Sequence, residues 1–225
     1  MFRLCLLSLL LAYVSAEQSF YQIHFPRKPW GYRYKAGSQN APIKIDMFFG
    51  LQCEDARDSY PVIKQVADHY GPEVVELNFH IFPLPYFSGD FLSCKGARVV
   101  DNLNPELVND FIEVVFANQY RIGRAPCTVS DLELMELLTD LAVDMGVDRD
   151  KFYVQFANPL TTNHCKQKWK SSIADGVYGS PWFLVNGVTV LDWKLDWTAD
   201  NWITHIDYLI NPPPKGEFTT PGIMW

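Results

Sequence analysis

Nearly every residue from Ala41 to Phe49 is apolar, as in a strand buried on both faces. The strand then meets a glycine, Gly50, and a lone cysteine, Cys53, at the point where a helix should begin. Val62, Ile63, Val66, Ala67 and Tyr70 recur at helical spacing, and Gly71-Pro72 supplies the stop. Glu54, Asp55 and Asp58 crowd the first turns, where acidic side chains favour the positive end of the helix dipole. A thiolate at such a position is stabilised by that dipole and by unpaired backbone N–H groups. The three carboxylates oppose this and Arg57 offsets them only in part, so a moderately activated thiol is expected. Cys53 is therefore the catalytic candidate; the plainer alternatives are an inert cysteine or one held in a disulfide.

The chain downstream continues the pattern. Val74 to Phe82 alternates as a second parallel strand, giving a strand–helix–strand crossover that is right-handed by default. Pro83-Leu84-Pro85-Tyr86 ends it. Residues 88–176 then carry helical punctuation. One helix is expected over Phe91 to Leu103 and another over Pro105 to Tyr120, with Pro105 at a first helical position. Ser130-Asp131-Leu132-Glu133 is a capping box opening the clearest helix, in which Leu134, Leu138, Leu141 and Met145 share a face. Two more are expected over Asp150 to Phe156 and Thr162 to Ala174. Trp182 to Val190 reads as a hairpin on Asn186-Gly187, and a last helix spans Thr198 to Ile210. Pro212-Pro213-Pro214 breaks that helix and leaves a tail over 212–225. Residues 17–40, aromatic and basic without helical period, read as an extended arm laid over the domain. Trp193 and Trp197, four apart, are expected to share one face as core or rim packing.

In this order the motifs resemble the thioredoxin superfamily. Cys53 at a helix start with Pro61 inside the helix matches its nucleophile site. Gly179-Ser180-Pro181-Trp182-Phe183-Leu184-Val185-Asn186-Gly187 is similar to the cis-proline strand of its DsbA-like branch. The resemblance implies an α/β thioredoxin-like fold, split into 41–87 and 177–211 by a helical insertion over 88–176. It also implies that Ser180, Pro181 and Trp182 meet an extended peptide substrate beside Cys53, through β-augmentation on the Ser180 backbone. One departure matters: Cys53-Glu54-Asp55-Ala56 replaces Cys-x-x-Cys. Ala56 occupies the position of the lost resolving thiol, which in a dithiol enzyme releases the mixed disulfide.

Residues 1–16 read as a signal peptide: Arg3, then an apolar core from Leu4 to Leu11, then small residues at Val14-Ser15-Ala16. No later apolar run is long enough to span a membrane. The expected location is the secretory pathway, extracellular or in the ER lumen. Net charge is −7, which argues against nucleic acid or an anionic membrane surface as partner. Cys5 belongs to the signal, leaving Cys53, Cys94, Cys127 and Cys165. Four cysteines in an oxidising compartment allow three full pairings. A bridge among Cys94, Cys127 and Cys165 is one arrangement; full pairing would consume Cys53. The five histidines have no metal-ligand spacing, and a zinc site at His164-Cys165 is rejected. No bound cofactor is expected, with glutathione open as a thiol co-substrate.

Two functions follow. One is a monothiol thiol–disulfide oxidoreductase acting through Cys53 on protein or peptide thiols and disulfides. The other is a redox-inactive binding module for a peptide or protein.

Overall fold

The computed structural model describes residues 29–123 and 130–212. The expected signal peptide, the arm before residue 29, Cys127 and the tail from residue 213 lie outside the described residues.

Five strands form one mixed sheet: β1 (Tyr32–Arg33), β2 (Ile43–Phe49), β3 (Val75–Ile81), β4 (Trp182–Val185) and β5 (Val188–Thr189). Their spatial order is β1-β3-β2-β4-β5. β2 and β3 run parallel in register from Ile43↔Val75 to Phe49↔Ile81, and the other pairs are antiparallel. The parallel pair is joined by helix α1 (Glu54–Tyr70). The arm enters the sheet as β1, an edge strand whose Tyr32 is buried.

One face of the sheet carries Met47, Phe79 and Phe183. Tyr60 of α1 stacks on Phe79 at 4.3 Å, and Trp202 of the last helix, α8 (Ala199–Ile210), packs on Phe183 at 4.8 Å. All five of these side chains are essentially solvent-free, so burying them supplies much of the stability. On the opposite side Phe48 stacks on His80 at 4.4 Å, and Trp169 stacks against Phe82.

Six helices lie between β3 and β4 among the described residues: α2 (Asp90–Leu103), α3 (Val108–Ala117), α4 (Gln119–Gly123), α5 (Asp131–Asp144), α6 (Arg149–Ala157) and α7 (Pro159–Ala174). The Ser130 capping box forms as written, with Ser130 Oγ accepting from Glu133 N and Glu133 Oε2 accepting from Ser130 N. The Asn186-Gly187 turn has φ of 50° and 79°, the left-handed values that a two-residue hairpin demands.

Two expectations need correction. The helix expected from Pro105 to Tyr120 is three pieces: a 3-10 turn at Pro105–Leu107, then α3, then α4. Asn104 Oδ1 accepts from Glu106 N, and Asn118 Nδ2 donates back to the Val114 carbonyl. These side chains compete with the helix backbone at both breaks. Helix α7 begins at Pro159, three residues before the expected start, because Asn158 caps it and Pro159 fits the first position. Trp193 and Trp197, in the loop before α8, pack against the core as expected: Trp193 on Phe183, and Trp197 on Trp202, which itself packs on Phe183.

Candidate active site

The pairing of β2 with β4 sets the site. Phe48 lies opposite Trp182, so the residues that follow β2 run beside those that precede β4. Gly50 N donates to Ser180 Oγ at 2.9 Å, and the Ser180–Pro181 peptide bond is cis. The turn closes through Cys53 N to the Gly50 carbonyl at 3.2 Å, which places Cys53 at the N-cap of α1.

Cys53 does not cap the helix with its side chain. Its thiol instead donates across the turn to the Ser180 carbonyl at 3.3 Å. The residue is 7% exposed and opens on a cleft of about 310 Å³. Gln52, Glu54, Asp55, Leu84, Phe87, Gln119 and Ser180 line that cleft, with exposed Tyr86 on its rim. Leu84 and Phe87 also border a second, more apolar depression formed with Phe91 and Trp169. The opening therefore has an acidic side at the start of α1 and an apolar side.

The insertion holds the cysteine turn from two directions. Gln119, first residue of α4, donates from Nε2 to the Leu51 carbonyl at 2.9 Å and the Cys53 carbonyl at 3.0 Å. Its Oε1 accepts from Arg57 Nη1 at 3.2 Å. Asp90, at the start of α2 and wholly buried, accepts from Gln52 N at 3.2 Å and Leu84 N at 2.7 Å. Burial pushes its carboxyl up to about 7, against the pull of backbone N–H groups from Leu84, Gln52 and Leu51. A β-carbon at Gly50 would stand 2.4 Å from Asp90 Oδ2, so this position admits only glycine without rearrangement.

Cys53 and Ser180 meet in one cleft. Pro181 is buried, and the half-buried Trp182 packs against Tyr178 at 4.2 Å, with a buried indole N–H that has no partner. Ala56 is fully buried and offers no sulfur. Cys94 and Cys165 are free thiols that lie together elsewhere in the insertion. Asp90 and Gln119 were not visible as site residues in the sequence. Asp90 falls there just before the expected helix start at Phe91, and Gln119 carries no signal at all.

Solved structures share this fold. A Pseudomonas syringae protein described provisionally as a protein-disulfide isomerase superposes with a TM-score of 0.66 at 15% identity, over 78% of this chain and 97% of that one. Wolbachia pipientis α-DsbA1 gives 0.63 at 16%, over 81% and 92%. The thiol-disulfide exchange protein α-DsbA2 of the same organism gives 0.59 at 17%, over 80% and 87%. No family model matches the sequence, and no curated protein does. The fold is the DsbA-like thioredoxin fold with a helical insertion.

Proposed function

We propose that this protein is a monothiol thiol–disulfide exchange catalyst of the secretory pathway, working through Cys53 on protein or peptide thiols and disulfides. The observation that carries this is the Cys53 thiol at 3.3 Å from the Ser180 carbonyl, at the floor of an open cleft. The likeness to α-DsbA2, a thiol-disulfide exchange protein, and the leader-like residues 1–16 support it further.

As a thiol, Cys53 occupies the Ser180 carbonyl. Loss of its proton ends that donation and leaves the carbonyl open to a backbone N–H of an extended peptide. The thiolate then attacks one sulfur of a substrate disulfide; a Cys53–substrate bond forms and the other sulfur leaves as thiolate. With alanine at position 56, a second thiol must come from outside, either glutathione or another cysteine of the substrate. That thiol attacks the substrate sulfur and expels Cys53. One disulfide has been exchanged for another with no net change in electrons, so no bound cofactor is needed.

The test is refolding of a disulfide-scrambled protein in a glutathione buffer. Wild type is expected to accelerate native pairing and Cys53→Ala to return the rate to background. Equal rates for the two would remove the proposal.

A second reading, recognition without turnover, draws on fully buried Ala56 and on the low exposure of Cys53. Peptide affinity that survives Cys53→Ser but is lost on replacing Trp182 would favour it.

A further inference from the structure

Away from the cleft, α2 and α7 bring two thiols together. Cys94 and Cys165 are each 1% exposed free thiols that lie side by side. We propose that Cys94 and Cys165 are a second redox site, oxidised to a disulfide that clasps the first helix of the insertion to the last. Nothing in this rests on the role assigned to Cys53.

The surroundings differ for the two sulfurs. The neighbouring Cys94 thiol holds the Cys165 thiol down, and Lys168, Arg98 and Lys95 reinforce this with positive charge. Cys94 is held up by Cys165 beside it and by burial. No group of three metal-ligating side chains occurs among the described residues, so the pair is not part of a metal cage there.

The oxidant is a low-molecular-weight disulfide of the oxidised-glutathione class. One of the two, as thiolate, attacks one of its sulfurs and expels the other as thiolate, giving a mixed disulfide. The second cysteine then loses its proton and attacks the sulfur of the first, expelling the second thiolate. The pair gives up two electrons and two protons, and one disulfide becomes two thiols. Because both sulfurs are sealed in the folded chain, this takes place before α7 has docked on α2, or when it lifts away.

The bridge has a consequence for the cleft. Cys94 is one turn along α2 from Asp90, whose carboxyl holds the turn before Cys53. A covalent tie at Cys94 pins that end of α2 to α7. It would also close a loop of about 70 residues, long enough to constrain the unfolded chain substantially.

The experiment uses the full chain carrying Cys53→Ser, unfolded under reducing conditions and refolded with oxidised glutathione. It is alkylated with iodoacetamide in denaturant without reduction, then digested and mapped by mass spectrometry. The expected product is a linked peptide containing Cys94 and Cys165, with a Tm roughly 10 °C above that of the same chain kept in dithiothreitol. A Cys94→Ala, Cys165→Ala chain is expected to melt with the reduced protein and to ignore dithiothreitol. Should that variant fail to fold, oxidised against reduced protein still decides. Alkylation of both cysteines, a link from either one to Cys127, or identical melting with and without dithiothreitol would overturn the proposal. None of these outcomes bears on exchange by wild-type Cys53.

Discussion

The carboxyl of Asp90, at the head of the insertion, accepts the backbone N–H of Leu84 at 2.7 Å, where the chain leaves β3. Its other oxygen takes the N–H of Gln52, immediately before Cys53. The insertion and the thioredoxin half are therefore joined by one buried acid directly under the cleft. An acid in that position makes stability depend on pH.

Asp90 is raised from 3.8 to about 7 in the folded chain. Between those values the native state holds a proton that the unfolded chain has released. The stabilisation is fully present below pH 3.8, declines as pH rises towards 7, and is gone above it. The full excursion is about 4 kcal/mol. Urea unfolding from pH 4 to 8 is expected to show this slope in wild type and to lose it in Asp90→Asn. Parallel curves for the two proteins would remove Asp90 as its source.

Gly50→Ala should break the same joint from the other side. The new β-carbon would sit 2.4 Å from Asp90 Oδ2 and 3.2 Å from Leu84 Cγ, and Asp90 has no solvent to retreat into. Overpacking of this kind costs about 1–3 kcal/mol. Thermal unfolding is expected to show a lower Tm, and iodoacetamide is expected to label Cys53 faster as its turn loosens. Unchanged melting and labelling would mean the turn can shift at no cost.

Gln119→Glu tests the second anchor. The amide donates to two carbonyls, those of Leu51 and Cys53, which a carboxylate can only repel. Leaving two buried acceptors unpaired costs about 1–3 kcal/mol each. Gln119→Ala removes the donors without adding charge, so it should lose less stability. Chemical unfolding of the pair orders them; equal losses would show that the charge is not felt at the Cys53 turn.

How much of this was legible in the sequence follows from what each signal depends on. The strand, turn and helix from Ile43 to Tyr70 could be read because period and punctuation are local. So could the Asn186-Gly187 hairpin and the Ser130 cap. The Cys53–Ser180 contact joins residues 127 positions apart, and only the family resemblance placed them together. Gln119 and Asp90 were beyond reach for a different reason. Each acts on backbone groups of a distant segment, and a backbone N–H or carbonyl leaves no mark on the sequence that needs it. The break of the Pro105 helix at Asn118 is an intermediate case: asparagine is a weak local signal, and it was outweighed by apolar residues on either side.

Ala56→Cys should change the chemistry rather than the stability alone. Position 56 is one turn into α1 from Cys53, the spacing at which a dithiol enzyme carries its resolving sulfur. Wild type incubated with oxidised glutathione is expected to accumulate a mixed disulfide at Cys53. In the variant the introduced thiol attacks Cys53, releases glutathione and closes an internal bond. Intact mass after acid quench separates the two products. Persistence of the glutathione adduct in the variant would show that the two positions do not converge.

Lys168 offers a pH test at the other end of the insertion. It is almost wholly buried, with its ammonium 3.9 Å above the ring of Tyr32, and burial lowers it from 10.5 to about 8. Cys94, Cys165, Asp101 and Arg98 also face it, the first three favouring its charge and Arg98 opposing it. From pH 8 to 10.5 the unfolded chain keeps a proton that the native state has lost, so stability should rise across that window, by about 3 kcal/mol from this group. Lys168→Met keeps the stem length and removes the charge. It should match or exceed wild type at pH 7, because replacing a poorly paired buried charge by an apolar group of similar volume is often stabilising by about 1–4 kcal/mol. The tyrosine and both thiols titrate in the same range, so the quantity to measure is the difference between the two proteins in urea at each pH. That difference should shrink by about 3 kcal/mol between pH 8 and 10.5. A difference that stays constant would mean Lys168 keeps its proton, and that the cluster around Cys165 is more polar than its burial implies.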